Sequence, residues 1–510
     1  MDDAIPGTPP DERRLHPWSW LFVLLQQLKQ FIFPLVALLI FGARRSSDEG
    51  EMWASLAPVI GIAVLVVLAI LQYFTYRYTI GRDGLTVREG LLHRSRREIP
   101  FSRIHNVVVH QSLLHRVFGV AEVRLESAGG AKPEAQMRVL GLRDALALED
   151  LVRHQAQGTG PLASGPGTAS RDDGTTLLSL STMEVLRLGL ISNRGMIVVA
   201  AAFGAMWQIL PENRIEHVFR QGAQQAYGYA EDLHVGWLGG AAGGIALIGI
   251  ALALVRLLSV ALALSQFHGF RLTEEPRRLM VERGLFARLR TSVARRRIQA
   301  WTLHEGVLHR LFARRSLRID TAVAEKSGSQ DTRALKDLAP IARPYECDAL
   351  INHLLPHAAW PRKDWHAVDA SARWRLWLPS LAWLLPVTAV VAWRFGAWVW
   401  LPGLAWMLAA AYAAHQQAHR MGWALDDHLV AVRSGWWSRY WRFAEIDKLQ
   451  ALRLSRSPLD HRCGTATLWL DTAGASGMSA PLALRFVPEA DARAVHDRLT
   501  TALARRRLHW

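Results

Sequence analysis

The sequence predicts a multi-pass α-helical membrane protein carrying three β-rich modules, and three observations lead there. Apolar stretches of spanning length come in pairs along the 510 residues. A block follows the first pair and recurs after the second: RIHNVVVHQSLLHR, Arg103 to Arg116, then RIQAWTLHEGVLHR, Arg297 to Arg310, with the first, second, eighth and last three positions identical. A degraded third copy is read at LQALRLSRSPLDHR, Leu449 to Arg462, after a third pair. A recurring block is one structural unit used again. Half of the residues are hydrophobic while 20% are charged, which fits spans alternating with soluble modules better than one globule.

The first apolar stretch, Trp18 to Phe41, is interrupted by Gln26, Gln27, Lys29 and Gln30. A lysine at mid-bilayer costs ~3 kcal/mol. The helix is therefore expected to start flat in the interface and cross from about Leu28, the other reading being a tilted span with Lys29 facing protein. Trp53 to Tyr73 is the cleanest span, uncharged throughout. Leu188 to Leu210 carries Asn193 and Arg194 near its start, so a short amphipathic lead should precede a crossing from about Gly195. Val235 to Leu258 places Arg256 near its end, where a long side chain can snorkel, and its apolar run continues to Phe267. Trp377 to Trp393 and Ala397 to Ala414, split at Arg394, read as a tight helical hairpin. Six spans in three pairs result. Lys29, Arg194 and Arg394 are the polar residues that would stand within the membrane.

Charge sets the expected orientation. The loop 211–234 is net acidic, whereas Lys/Arg against Asp/Glu counts 13 to 9 over residues 74–156, 17 to 10 over 271–353 and 14 to 9 over 420–508. Positive charge stays inside, so the modules and both termini are expected in the cytoplasm. No cleavable signal is evident before the first apolar run.

Each module opens as a strand directly after its membrane pair, at Tyr76 to Ile80, Phe270 to Thr273 and Gly422 to Leu425. A polar turn follows (Arg82-Asp83-Gly84, Glu274-Glu275-Pro276, Asp426-Asp427-His428), then a strand to a glycine turn at Gly90, Gly284 and Gly435. An arginine-rich strand, the repeated block and a closing strand come next, and a helical tail ends the unit at Asp144 to His154, Tyr345 to Leu355 and Glu489 to Leu503. Short alternating strands closed by one helix indicate a small sandwich or barrel with a helical cap. The expected domains are 1–73 (N-terminus and first pair), 74–156 (first module), 157–180 (a flexible Gly/Pro/Ser linker), 181–267 (second pair), 268–356 (second module), 357–375 (linker), 376–415 (third pair) and 416–510 (third module with the basic tail Arg505-Arg506-Arg507).

This layout resembles bacterial membrane proteins of the YdbS/YdbT type, which carry membrane-flanked bacterial pleckstrin-homology (PH) domains. The residues carrying the resemblance are the Tyr78 to Gly90 strand pair, Ile99-Pro100 with Arg103-Ile104, Leu113-Leu114 and Arg116 with Phe118-Gly119, and Glu126-Ser127-Ala128-Gly129. The second module lacks the Ile-Pro step and the glycine after Phe312, and the third is the most divergent. The resemblance implies a PH-like module of two packed antiparallel sheets with a C-terminal helix. It implies no catalytic residues and an association with membrane stress and resistance to antimicrobial peptides.

Arg94, Arg96 and Arg97 before the Ile-Pro step, and Arg288, Arg290, Arg295 and Arg296 in the second module, are candidate contacts to lipid phosphate, each charge adding ~1 kcal/mol near an anionic surface. The competing reading is a solvated basic surface. The repeated His115-Arg116, His309-Arg310 and His461-Arg462 are read as turn caps rather than as a catalytic pair. His415 and His419, four apart on a helix, lack a further ligand, and the glycines of residues 158–167 neither follow a strand nor open a helix. Tryptophans gather at membrane interfaces, and Cys347 and Cys463 are too far apart in sequence to form a ligand spacing. No catalytic, cofactor or metal site is expected. The net charge of +16 suits a phosphate-rich partner, and six spans favour membrane lipid over nucleic acid. The leading expectation is a non-enzymatic scaffold whose modules bind anionic lipid or another membrane or cytoplasmic protein, self-association being compatible with it. The alternative is a transporter or exporter component for peptide or lipid.

Overall fold

The computed structural model describes residues 13–25, 27–29, 31, 51–81, 84–90, 94–101, 104–127, 135–155, 174–209, 221, 237–276, 278–321, 336–474 and 480–505. Most of the first apolar stretch, the two longer membrane loops apart from Gln221, the Arg82-Asp83 turn, Arg103, Ala128-Gly129, residues 156–173 and Arg506-Arg507 lie outside them.

The first module begins with a short strand β1 (Arg13–Arg14) ahead of the membrane part, then helix α1 (Glu51–Thr75). Strands β2 (Arg77–Ile80), β3 (Gly84–Glu89) and β4 (Ser95–Pro100) follow; β5 (Ile104–Gln111), a one-turn helix α2 (Leu113–Val117), β6 (Val120–Ser127), β7 (Ala135–Gly141) and helix α3 (Leu142–Gln155) complete it. Valines, leucines and Met137 from both sheets and the helix interdigitate in one core.

The second module repeats the plan with β8 (Thr175–Ser179), α4 (Thr182–Ile191), α5 (Arg194–Ile209), α6 (Trp237–Phe267), β9 (Arg271–Glu275), β10 (Arg278–Arg283) and β11 (Arg288–Ala294). Its second half is β12 (Ile298–Glu305), α7 (Val307–Leu311), β13 (Arg315–Thr321), β14 (Asp337–Ala342) and α8 (Pro344–Leu354). The third has β15 (His366–Ala367), α9 (Ala372–Phe395), α10 (Trp400–Arg420), β16 (Gly422–Leu425), β17 (Leu429–Ser434), β18 (Arg439–Glu445), β19 (Leu449–Ser455), α11 (Pro458–Cys463), β20 (Thr465–Thr472), β21 (Ala483–Pro488) and α12 (Glu489–Ala504).

Two features were not expected. The stretches read as linkers hold β8 and β15, so the linker boundaries at 180 and 375 are corrected: the segment before each membrane insert is part of the module. Each such strand pairs antiparallel with the strand that follows the insert, Arg14 opposite Arg77, Ser179 opposite Arg271 and Ala367 opposite Gly422. Each apolar insert therefore leaves and re-enters its module at neighbouring strand ends.

The second feature is that the sheets run across module boundaries. Strand order is β1-β2-β3-β4, then β7-β6-β5-β11-β10-β9-β8, then β14-β13-β12-β18-β17-β16-β15, then β19-β20-β21. The second sheet of one module is thus continuous with the first sheet of the next. The cores merge accordingly: Leu303 and Leu317 share a cluster with Ala431 and Phe443 of the third module.

Among the described residues three stretches are helical, long and apolar enough to cross a membrane, Ala242–Phe267, Ala372–Phe395 and Ala397–Arg420, and a fourth is the pair Thr182–Ile191 with Arg194–Gln208, bent by 50°. In that pair α4 is a lead rather than a span: Val185, Leu188 and Ile191 enter the second module's core. The break falls at Ser192-Asn193, and α5 runs on with its apolar side chains outward. Helix α6, at ~1.5 Å per residue, is longer than a ~30 Å hydrocarbon layer, and its end, Ala263 and Phe267, is buried in the module. Small residues let the helices approach: the Gly195 amide donates to Ser259 Oγ at 2.9 Å, and Gly403 faces the Thr388 side chain. Helices α9 and α10 form the hairpin expected around Arg394.

Candidate binding surfaces

The repeated block is the inter-module joint. In the first joint Gln111, His110, Val109 and Val108 of β5 stand opposite Arg288, Leu289, Arg290 and Thr291 of β11. In the second Glu305, His304, Leu303, Thr302 and Trp301 of β12 stand opposite Arg439, Tyr440, Trp441, Arg442 and Phe443 of β18. The registers coincide when the repeats are superposed, so one docking geometry is used twice.

The last identical residue of the block bridges this joint. Arg116 Nη1 donates to the Leu285 carbonyl at 3.0 Å, and Arg310 Nη2 to the Trp437 carbonyl at 3.1 Å. Each arginine grips the turn just past the glycine of the next module. His115 is held at 2.6 Å from Ser112 Oγ, which also caps its short helix. The histidine pair recurs, His110 with His115 and His304 with His309, ring centroids 6.3 and 5.3 Å apart.

The third copy needs a correction of one residue. Ile104, Ile298 and Leu449 are the equivalent first residues of their strands, pairing with Ser127, Thr321 and Thr472. The counterparts of His115 and Arg116 are therefore Asp460 and His461, not His461 and Arg462. Asp460 is the third residue of α11 and completes a capping box with Ser457. It also accepts from Arg375 at 2.7 Å and Thr465 at 2.7 Å, tying the start of a membrane helix to the third module. The departure noted after Phe312 is accommodated: Ala313 takes the left-handed backbone (φ 49°) that Gly119 and Gly464 (both φ 64°) take in the other modules, at about 1–2 kcal/mol.

The candidate arginines divide into two groups. Arg290 faces Glu149 at 3.7 Å and Glu282 at 3.1 Å, and Arg295 reaches Glu274 at 2.7 Å and the Leu354 carbonyl at 2.8 Å. Their charges are answered within the joint and the module. Arg94, Arg96, Arg97, Arg288 and Arg296 are exposed, Arg96 beside Glu98 at 2.6 Å. The three on or beside β4 form a basic strand edge.

Of the polar residues expected within the membrane, Arg194 lies at the foot of α5 against the second module. It donates to Gln266 Oε1 at 2.6 Å, faces Asp337 at 3.5 Å and lies over the Phe267 ring. Arg394 is exposed at the hairpin turn, stacked on Phe395, and Lys29 is exposed on a helical stretch. Among the described residues no group of three or more His, Cys, Asp or Glu could hold a metal. Cys347 is buried, which pushes its thiol up to about 12, far from a reactive thiolate.

The second joint carries a titratable element. Burial, then the neighbouring His304 and Arg318, hold the His309 pKa down to about 4, with Glu305 opposing. A base whose folded pKa lies below its unfolded value binds its proton more readily when unfolded. Its stabilising contribution is complete above pH ~6.5 and is lost as pH falls toward about 4. Protection factors of the β18 amides, with the intrinsic pH dependence of exchange divided out, are expected to fall between pH 6.5 and 4.5, and less so in His309→Gln. Parallel profiles for the two proteins would refute this.

With this geometry in hand, comparison with known proteins gives a consistent picture. A family model for the bacterial PH domain matches residues 23–156, 233–345 and 375–503. The UPF0699 transmembrane protein YdbT of Bacillus subtilis (strain 168) is 20% identical over 314 residues, 59% of this chain. The match spans 61% of that relative's own length. No solved structure matches.

Proposed function

The chain belongs to the bacterial PH-domain family, and on that premise we propose that it is a multi-pass, non-enzymatic inner-membrane protein whose three modules form one cytoplasmic binding array. The array would engage protein partners or anionic lipid, in envelope stress or resistance to antimicrobial peptides. The observation that carries the reading is the pairing of strand ends on either side of each membrane insert. A chain that leaves and returns at adjacent strand ends crosses a bilayer an even number of times or not at all. Three such inserts support a reading with three modules on one side, as does their net basic charge. Continuous sheets make the modules a single rigid ligand-presenting body rather than beads on a string. A transport role would rest on Lys29, Arg194 and Arg394, and their placement at a helix foot, a turn and an exposed helix position lends it no support.

Two measurements test the proposal. In intact cells an impermeant maleimide should label Gln221→Cys, in the second membrane loop, and reach Gln450→Cys on β19 only after permeabilisation. The reverse pattern would overturn the orientation. Deleting residues 416–510 should sensitise cells to membrane-active cationic peptides, with Lys29→Ala leaving resistance intact. Loss with Lys29→Ala at normal protein levels would instead favour transport.

A further inference from the structure

The array has two open ends. Strand β4 is the first-module counterpart of β11 and β18, and β19 is the third-module counterpart of β5 and β12. Among the described residues β4 and β19 each have a strand on one side only. Their burial reflects this: Arg96, Arg97, Glu98 and Pro100 on β4 and Gln450, Ala451 and Arg453 on β19 are exposed, where most of β11 and β12 is buried.

A head-to-tail stack of this chain on itself is the obvious way to close them, and its charges oppose it. Extending the register of the two joints sets Arg456 opposite Arg94 and Arg453 opposite Arg97. Like charges directly across strands destabilise the pairing. Within the chain the same place is filled differently. Arg288 stands opposite Gln111, and Arg439 opposite Glu305 with 3.5 Å between Nη1 and Oε1. The leading arginine, four residues past the turn glycine, is thus present in all three modules (Arg94, Arg288, Arg439), and its facing residue in both formed joints is uncharged or acidic, Gln111 and Glu305. In the third copy that residue is Arg456, bonded at 2.7 Å to Glu489 of its own module. The tail is closed by its own chemistry, while the head keeps an exposed arginine with no facing strand among the described residues.

We propose that β4 accepts a strand from a separate polypeptide that carries a module of this same fold, with glutamate or glutamine opposite Arg94 and an arginine five residues later. The spacing is that of Gln111 to Arg116 and Glu305 to Arg310. Main-chain hydrogen bonds supply affinity and the Arg94 pair supplies selection, as in other strand additions. The chain is then one segment of a mixed array, prevented by its own charges from polymerising. This inference rests on the reading of the modules as a binding array.

The probe is a synthetic peptide of residues 298–311 of this chain bearing His304→Cys, because residue 304 would face Ser95. The host is the full chain with Cys463→Ser and Ser95→Cys in nanodiscs of neutral lipid. Disulfide formation should be roughly tenfold faster than with the same peptide carrying Glu305→Arg, as expected when an opposite pair replaces a like pair. Arg94→Glu in the host should reverse the preference. Equal rates for the two peptides would overturn the proposal. So would two other results: Ser95→Cys/Ser455→Cys chains linking to one another, which makes a second copy the occupant, or Arg94→Glu abolishing flotation with phosphatidylglycerol vesicles while peptide cross-linking is unchanged, which makes lipid the occupant. The labelling experiment above fails independently if the array reading itself is wrong.

Discussion

Arg442→Ala is expected to part the second and third modules at a cost of about 3–5 kcal/mol, the usual penalty for removing one partner of a buried ion pair. Arg442 lies on β18, its side chain 2% exposed, and reaches over β12 to the next strand. Nη2 donates to Asp320 Oδ2 at 2.6 Å and Nη1 to Thr302 Oγ1 at 3.0 Å. Asp320 is itself 7% exposed, so truncating the arginine removes a charge partner from a buried carboxylate. Trp301 and Phe443, the next cross-strand pair, stack on the other face of the same two strands. Amide exchange in β12 and β18 should accelerate by more than two orders of magnitude, with β5 and β11 unchanged. Arg442→Met combined with Asp320→Leu should recover most of the loss, since a well-packed apolar pair commonly replaces a buried ion pair without penalty. A single variant within ~0.5 kcal/mol of the parent would show that the pair holds nothing together.

That joint was invisible in the sequence although its residues were not. The recurrence of His110, Leu114, His115 and Arg116 marked a unit, and the turn glycines, strand runs and tail helices fell close to where periodicity put them. Which strand pairs with which is a non-local property: VVVH in β5 and WTLH in β12 carry the apolar runs of strands covered on both faces, and such runs do not name their neighbour. The arginine-rich strands looked like solvated or lipid-facing edges because an arginine in an inter-strand pair has the same composition as one in water. Arg290, Arg295 and Arg442 needed the structure. The third copy was misaligned because His461-Arg462 matched by identity, while the pairing of Leu449 with Thr472 and the capping box at Ser457 set the true register. Strands β8 and β15 were missed because their partners lie beyond a membrane insert, outside any local window.

Gly284→Ala is expected to be the most damaging small change in the first joint. Gly284 has φ +114°, a conformation closed to residues with a Cβ, and an added Cβ would lie 1.9 Å from the Ala287 carbonyl oxygen. That neighbour is backbone in a two-strand turn and cannot swing away, so the strain of about 1–3 kcal/mol for the dihedral is joined by a forced opening of the turn. The turn is a three-way contact. The Gly284 and Leu285 amides donate to the His268 and Ser265 carbonyls at the end of α6, at 2.9 and 3.0 Å, and the Leu285 carbonyl receives Arg116 from the first module. Opening it releases a membrane helix and a module together. Gly119→Ala is the matched control: its φ is +64° and nothing lies within 4 Å of the new Cβ, so only the left-handed penalty of about 1–2 kcal/mol applies. Exchange protection of β5 and β11 should collapse in Gly284→Ala and fall only modestly in Gly119→Ala. Equal losses in the two would mean that the turn relaxes freely, and that the grip of Arg116 on it contributes little to joining the modules.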